Sequence, residues 1–420
     1  MTGYTLGQRT SIPLSVMGLL SNSKVSNTSK SDDPANDFKA NGETILPTVS
    51  VFTGGKITNN LGAFVQITHD RYADTSSAGN YQDTFADNMD FRYADHFIDG
   101  KRDLIWGISV NNNPSLADPW NTAAAWMQYV PVPSPGSSQF IDGTTPYPGH
   151  GSGGNLAGVT AYAFLNHRYY AEFGGYTTSK GVLKFMSAGL DDSSVTKLNG
   201  VNPYWRLAIN HEWGAHSLMI GTSGMLAEVF DNPLDTSDPT TLHRYRDVSV
   251  DLQYQYLLDP HTVTAQLVFA HNAHQYPDGT SDGQASFADA SGNQLGNFNA
   301  QDTTDIMRAK VSYVYQAKYG GSLAYFNQTG SVNTANQSSG FGIGTPGMLD
   351  PASVRLGNFS GDPAVRGWTL ETFWMPTQYT RVGAQYTNYN IFNGASNNYD
   401  GFGRNAQDNN SLFIYLWAAY

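Results

Sequence analysis

The stretch His211-Glu212-Trp213-Gly214-Ala215-His216 has the residue types of a zinc hydrolase, two imidazoles to hold a metal and a carboxylate to act as base. That chemistry needs both histidines on one helical face, four residues apart. Here they are five apart with a turn signal between them, which reads as a strand end and a hairpin. Gly342-Ile343-Gly344-Thr345-Pro346-Gly347 matches the spacing of a phosphate-cradling loop, but no helix follows it. In Gly149-His150-Gly151-Ser152-Gly153-Gly154, His150 occupies a position that a nucleophile elbow gives to glycine. His271 and His274 are three apart, so a strand sends them to opposite faces. The carboxylates of 231–238 and 400–408 could attract calcium, and read as solvated loops. No convincing nucleophile–base pair remains, and the chain is not expected to be an enzyme.

A second set of polar residues is more informative. Asp90 and Arg92, Arg206, Asp247 and Asp251, Arg308 and Lys310, and Glu371 and Arg381 all fall on one face of segments that alternate apolar and polar. In 247–256, DVSVDLQYQY, Val248, Val250, Leu252, Tyr254 and Tyr256 share one face; Asp247, Ser249, Asp251, Gln253 and Gln255 share the other. Only a strand has this period of two. Segments 262–269 and 307–317 repeat it, the second placing Met307, Ala309, Val311, Tyr313 and Tyr315 opposite Arg308, Lys310, Ser312 and Gln316.

Composition narrows what these strands build. No cysteine occurs, which removes disulfides, thiolate metal sites and thioether-linked haem from these residues. Charged residues make up 14% of the chain, against about 25% in ordinary soluble domains, while aromatics reach 13% with 25 Tyr. The net charge of −12 argues against nucleic acid as a partner. No run of 18 or more apolar residues is present, so no transmembrane helix is expected.

Connection lengths decide the architecture. Long polar linkers cover 20–44, 72–87, 111–155, 178–203, 230–244, 275–304, 329–366 and 393–411. Short turns near 54–59, 98–102, 166–168, 213–215, 258–261, 318–321 and 375–379 alternate with them. This is the rhythm of an outer-membrane barrel, with short periplasmic turns and long extracellular loops. The expected fold is all-β: a transmembrane antiparallel β-barrel of about 16 strands over 11–420, behind a periplasmic lead-in at 1–10. The closing strand is the apolar tail SLFIYLWAAY, with Leu412, Ile414, Leu416, Ala418 and Tyr420 toward lipid and the strand near 11–19 as partner, so no edge is left in hydrocarbon. Both termini are then periplasmic, in the outer membrane of a Gram-negative bacterium. Tyr93, Trp106, Tyr256, Tyr315 and Trp374 fall near short turns, where an aromatic girdle belongs, and Trp205 falls in the outer girdle.

On this frame the inward charges report a watery or internally paired lumen, since an outward Arg or Lys costs about 2–4 kcal/mol at the midplane. The two readings, a plugged lumen and a selective pore, stand side by side. The 111–155 linker, with Trp120, Trp126 and Tyr129, is expected to fold inward as a constriction, because so apolar a loop would otherwise lie bare in water.

Four stretches carry a family resemblance: Gly3-Tyr4-Thr5-Leu6-Gly7, GETILPTVSVFTGGKIT from Gly42, NPYWRLAINHEWGAHSL from Asn202 and FNGASNNYDGFGRNAQDNN from Phe392. Through them the chain resembles, over nearly its whole length, a bacterial outer-membrane family of cytochrome–porin fusions. The resemblance implies a porin barrel behind an N-terminal c-type haem module with a CxxCH motif. It also implies electron transfer across the outer membrane and partnership with a c-type cytochrome module or a periplasmic electron carrier. Without cysteine, this chain has no position onto which haem attachment carries over, so haem c would come from a module upstream. Met1 is accordingly expected to be an internal methionine of a longer precursor with a leader and that module. The competing reading is a haem-free diffusion porin for small solutes or ions. In both, the outer-membrane lipid is a partner, and homo-oligomer formation is left open.

Overall fold

A computed structural model describes residues 13–27, 42–70, 84–114, 118–120, 156–187, 197–277, 299–333, 343–345, 348–349, 361–399 and 403–420. Strands β1 (Leu14–Val25), β2 (Thr44–Lys56), β3 (Leu61–Asp70), β4 (Thr84–Asp99), β5 (Arg102–Asn111), β6 (Leu156–Leu165), β7 (Tyr169–Thr178) and β8 (Asn202–Trp213) form one half of a sheet. The other half is β9 (His216–Phe230), β10 (Leu242–Leu258), β11 (His261–Gln275), β12 (Gln301–Tyr315), β13 (Tyr319–Gly330), β14 (Val365–Thr377), β15 (Thr380–Ile391) and β16 (Ser411–Ala419). Each strand pairs antiparallel with its chain neighbours, and β16 pairs with β1 to close a sixteen-stranded barrel.

Closure runs through the tail. Leu20 stands opposite Leu416 and Asn22 opposite Ile414. The backbones of Val16 and Tyr420 exchange hydrogen bonds in both directions, at 2.8 and 2.9 Å. Leu412, Ile414, Leu416 and Tyr420 face outward and exposed, while Phe413 and Tyr415 are buried on the inner face. Pro13 and Tyr420 therefore lie at the same end as the short turns. The 1–10 lead-in lies outside the described residues.

The inside-out pattern is general. On β10, Asp247, Ser249, Asp251 and Gln253 are buried, whereas Val250 is 52% exposed. Water would penalise such an outer wall by about 25 cal/mol for each Å² of apolar surface, and hydrocarbon removes the penalty. Strands β5, β6 and β7 are 10 residues long, the length that crosses a bilayer core at a steep tilt. Tyr93, Trp106, Tyr256, Tyr315 and Trp374 all project from the outer face toward the short-turn end, with Tyr93 and Trp106 5.7 Å apart between ring centroids. Trp205 is also outward, lying across Gly224 of β9.

Local chemistry sets the hairpins. Asn166 and His167 have φ of 55° and 52°, and Gln316 and Ala317 have φ of 52° and 53°, the left-handed pair of a two-residue turn. The strand read over 307–317 consequently stops at Tyr315; its two extra residues are the turn. Ile343–Thr345 pairs with Met348–Leu349 as a separate two-stranded ladder.

Candidate functional site

The inner wall is where this sequence concentrates chemistry, and the strands deliver it as three charged groups. The first is built on Arg206 of β8, which is 1% exposed. Its two terminal nitrogens grip Asp251 of β10 at 2.5 and 2.8 Å. Its Nε forms an ion pair at 3.3 Å with Asp118, which belongs to the linker after β5. Beside it, Trp120 lies 5.7 Å from the guanidinium carbon and meets Tyr170 and Phe164 edge-on. Isolated burial of a guanidinium is costly, and the bidentate fork with a second carboxylate offsets that cost. The described start of the 111–155 linker thus lies inside the barrel. Trp126 and Tyr129 lie outside the described residues.

The second group spans β4 to β7. Arg92 donates to Asp90 at 2.6 Å, and Ser109 donates to the other oxygen of Asp90 at 2.7 Å. Asn111 donates to Ser109, and the Tyr176 hydroxyl donates to Asn111 at 2.8 Å. The Arg92 guanidinium stands 5.2 Å from the centre of the Tyr162 ring. The third group lies on the opposite side of the barrel. Glu371 of β14 accepts from Arg381 at 2.8 Å, Tyr415 at 2.6 Å and Ser322 at 3.0 Å. Arg381 also sits 3.6 Å above the Phe373 ring.

The remaining inner charges are distributed differently. Asp247 is fully buried and accepts from Asn272. Arg308 is half-buried. Lys310 shares its inner row yet is exposed, facing Gln266, whose amide donates to Gln253 at 2.9 Å. The first two groups adjoin, since Tyr170, which meets Trp120, stacks at 6.3 Å on Tyr162 beneath Arg92, and the third stands apart. The fold brings Arg206 to Asp251, Asp90 to Arg92 and Glu371 to Arg381, and it leaves Lys310 in the open interior.

Several inner residues escaped attention in the sequence. Glu172 is 1% exposed and accepts from Tyr170 at 2.7 Å. Its signal was the alternation of YYAEFGGYTT, which puts Tyr170, Glu172, Gly174 and Tyr176 on one face. Arg404 is fully buried in the loop before β16, where it donates to Asn409 at 2.9 Å. Asp118 and Arg404 lie in loops, where no period marks a residue as inward.

Other motifs resolve into local structure. His211 and His216 stack on either side of Trp213, each 5.2 Å away, at the β8–β9 turn. His271 is exposed and bonds Asp305 at 2.7 Å, whereas His274 is buried beside His243 at 2.8 Å. In the acidic loop after β9, the hydroxyl and N–H of Ser237 hold the Asp235 carboxyl below its usual range, and those of Thr240 do the same for Asp238. Among the described residues, no three histidine or carboxylate side chains are placed to hold a metal ion.

No family model and no curated protein matches the chain. Solved outer-membrane structures are similar to it along their whole length. One is OmpF of Salmonella typhi in complex with daunomycin, at 10% identity and a TM-score of 0.48 over 97% of each chain. Another is the outer-membrane channel DcaP of Acinetobacter baumannii, at 11% identity and 0.47 over 100% of each. A third is an anion-selective porin from Comamonas acidovorans, at 9% identity and 0.44 over 98% of this chain and 100% of that one. The strand ladder by itself defines a closed antiparallel barrel of sixteen strands.

Proposed function

We propose that this chain is a diffusion channel of the bacterial outer membrane, passing small polar solutes or ions through its lumen. The observation that carries this reading is the sorting of the wall. The outer face is apolar across the span, and the inner face carries charges that the strands pair or leave in the open interior, as at Lys310. Sixteen strands enclose enough width for an aqueous path. Asp118 and Trp120, held against Arg206, support an inward linker that narrows the path and sets its size limit. In this reading the short-turn end, with Pro13 and Tyr420, faces the periplasm.

The electron-transfer role, the cytochrome module and the periplasmic carrier rest on the family resemblance alone. Covalent c-type haem does not fit these residues, since thioether bonds need cysteine and the chain has none. A liposome-swelling assay with sugars of graded size tests the channel. Liposomes holding the folded chain should swell in small sugars and progressively less in larger ones. Swelling no faster than in protein-free liposomes would contradict the reading.

A further inference from the structure

The outward row of β10 changes character at one point. From the short turn it reads Tyr256, Tyr254, Leu252, Val250 and Val248, and then Arg246 and Arg244. The apolar part spans nine residues, about what a tilted strand needs to cross hydrocarbon. Arg246 is therefore the first outward residue beyond the apolar band, at headgroup level, where an outward cation costs little.

These arginines border a groove of about 360 Å³ on the outer face, floored by Leu226 and Ala273 and edged by Arg244, Arg246, Gln275 and Gln301, with the Glu228 carboxylate beside Arg244. The ladder fixes this grouping: Arg246 stands between Leu226 and Ala273, Arg244 between Glu228 and Gln275, and Gln275 opposite Gln301. Arg244 is 59% exposed and its Nε pairs with Glu228 at 3.2 Å. Among the described residues, Arg246 has no carboxylate partner.

An apolar floor continuous with the lipid-facing wall, two cations at phosphate depth and two neighbouring amides suit one kind of ligand. It is an amphiphile whose headgroup carries both phosphate and hydroxyls. We propose that the groove binds the phosphorylated sugar headgroup of an outer-leaflet glycolipid, with phosphate on Arg246 and Arg244 and sugar hydroxyls on Gln275 and Gln301. Charge favours a membrane-borne ligand over a free anion. A chain of net charge −12 repels dissolved phosphate, whereas the bilayer delivers a lipid phosphate to the rim. This inference rests on reading the long-loop end as the outer-leaflet side of an outer-membrane barrel.

The test is native mass spectrometry of the full folded chain in detergent, titrated with purified bis-phosphorylated lipid A. Wild type should bind it, with dephosphorylated lipid A at least tenfold weaker. Arg246→Gln should weaken binding about tenfold, while Arg246→Lys should retain most of it. Gln275→Ala, which leaves both arginines in place, should weaken lipid A but not phosphatidylglycerol. Arg366→Gln is the control, since Arg366 is an outward rim arginine already bonded to Asn327 at 2.8 Å. Equal binding by wild type and Arg246→Gln overturns the proposal, as does an equal loss in Arg366→Gln. Displacement of lipid A by millimolar inorganic phosphate, or a second copy of the chain filling the groove in its place, also overturns it. Conductance of the same samples separates this inference from the channel reading. Lipid binding by a barrel that never conducts supports the groove and defeats the channel; conduction without lipid binding overturns the groove and leaves the channel.

Discussion

Arg206 occupies the most demanding position in the barrel, a buried guanidinium that needs two carboxylates from two different elements. Removing it by Arg206→Met leaves Asp251 and Asp118 buried without their cation, a loss expected to cost about 3–5 kcal/mol. Urea unfolding of the refolded barrel in detergent, followed by tryptophan fluorescence, measures this; a loss under about 1 kcal/mol would show that the pair is dispensable. Asp118→Asn is expected to behave differently, because Asp251 keeps its bidentate contact. It should leave barrel stability nearly unchanged while loosening the linker that carries Trp120. Arg206 and Asp251 were legible as inward residues from alternation alone. Their partnership was not, because pairing depends on which strands neighbour β8 and β10. Asp118 was illegible for a simpler reason: a loop has no period to read.

At the scale of elements, the strands were the most readable part of the chain. A strand of β10's length leaves one solution for its register, since a slip by one residue would turn Asp247, Asp251 and Gln253 outward. Replacing Leu252 with Arg puts a cation into the middle of the outer wall and should cost about 2–4 kcal/mol, enough to deplete folded protein. Gln253→Arg, one residue on, faces the interior and should fold as wild type. Heat-modifiable gel mobility of the two variants compares them directly, and equal damage would mean that the two faces are misassigned. Close packing on the inner face was less visible. Gly158 lies flat against the Tyr176 ring, and a side chain added there would drive into it. Gly158→Val should displace Tyr176 from Asn111 and destabilise the β6–β7 hairpin, lowering the unfolding midpoint; an unchanged midpoint would show that the ring moves aside freely. Where turns departed from the reading, as at Gln316 and Ala317, the cause was backbone handedness at residues that are neither glycine nor asparagine.

The whole molecule was announced by rhythm: seven short turns alternating with long linkers, and an apolar tail with nowhere soluble to go. What the rhythm could not convey is how the loops fold. The stretch from Phe392, read as a polar linker and as part of the family resemblance, packs Phe392, Tyr399 and Ala406 against Phe326, Val365 and Tyr389 of the inner wall at the long-loop end. Loops that fill the interior in this way leave a narrower path than sixteen bare strands would, and the proposed channel requires that a path remains. Single-channel recording in planar bilayers tests that claim most directly, with wild type and Asp118→Asn refolded in parallel. Wild type should give discrete ohmic steps, and Asp118→Asn larger ones from an equally stable barrel. Folded wild-type protein that inserts into the bilayer and gives no steps would contradict the account.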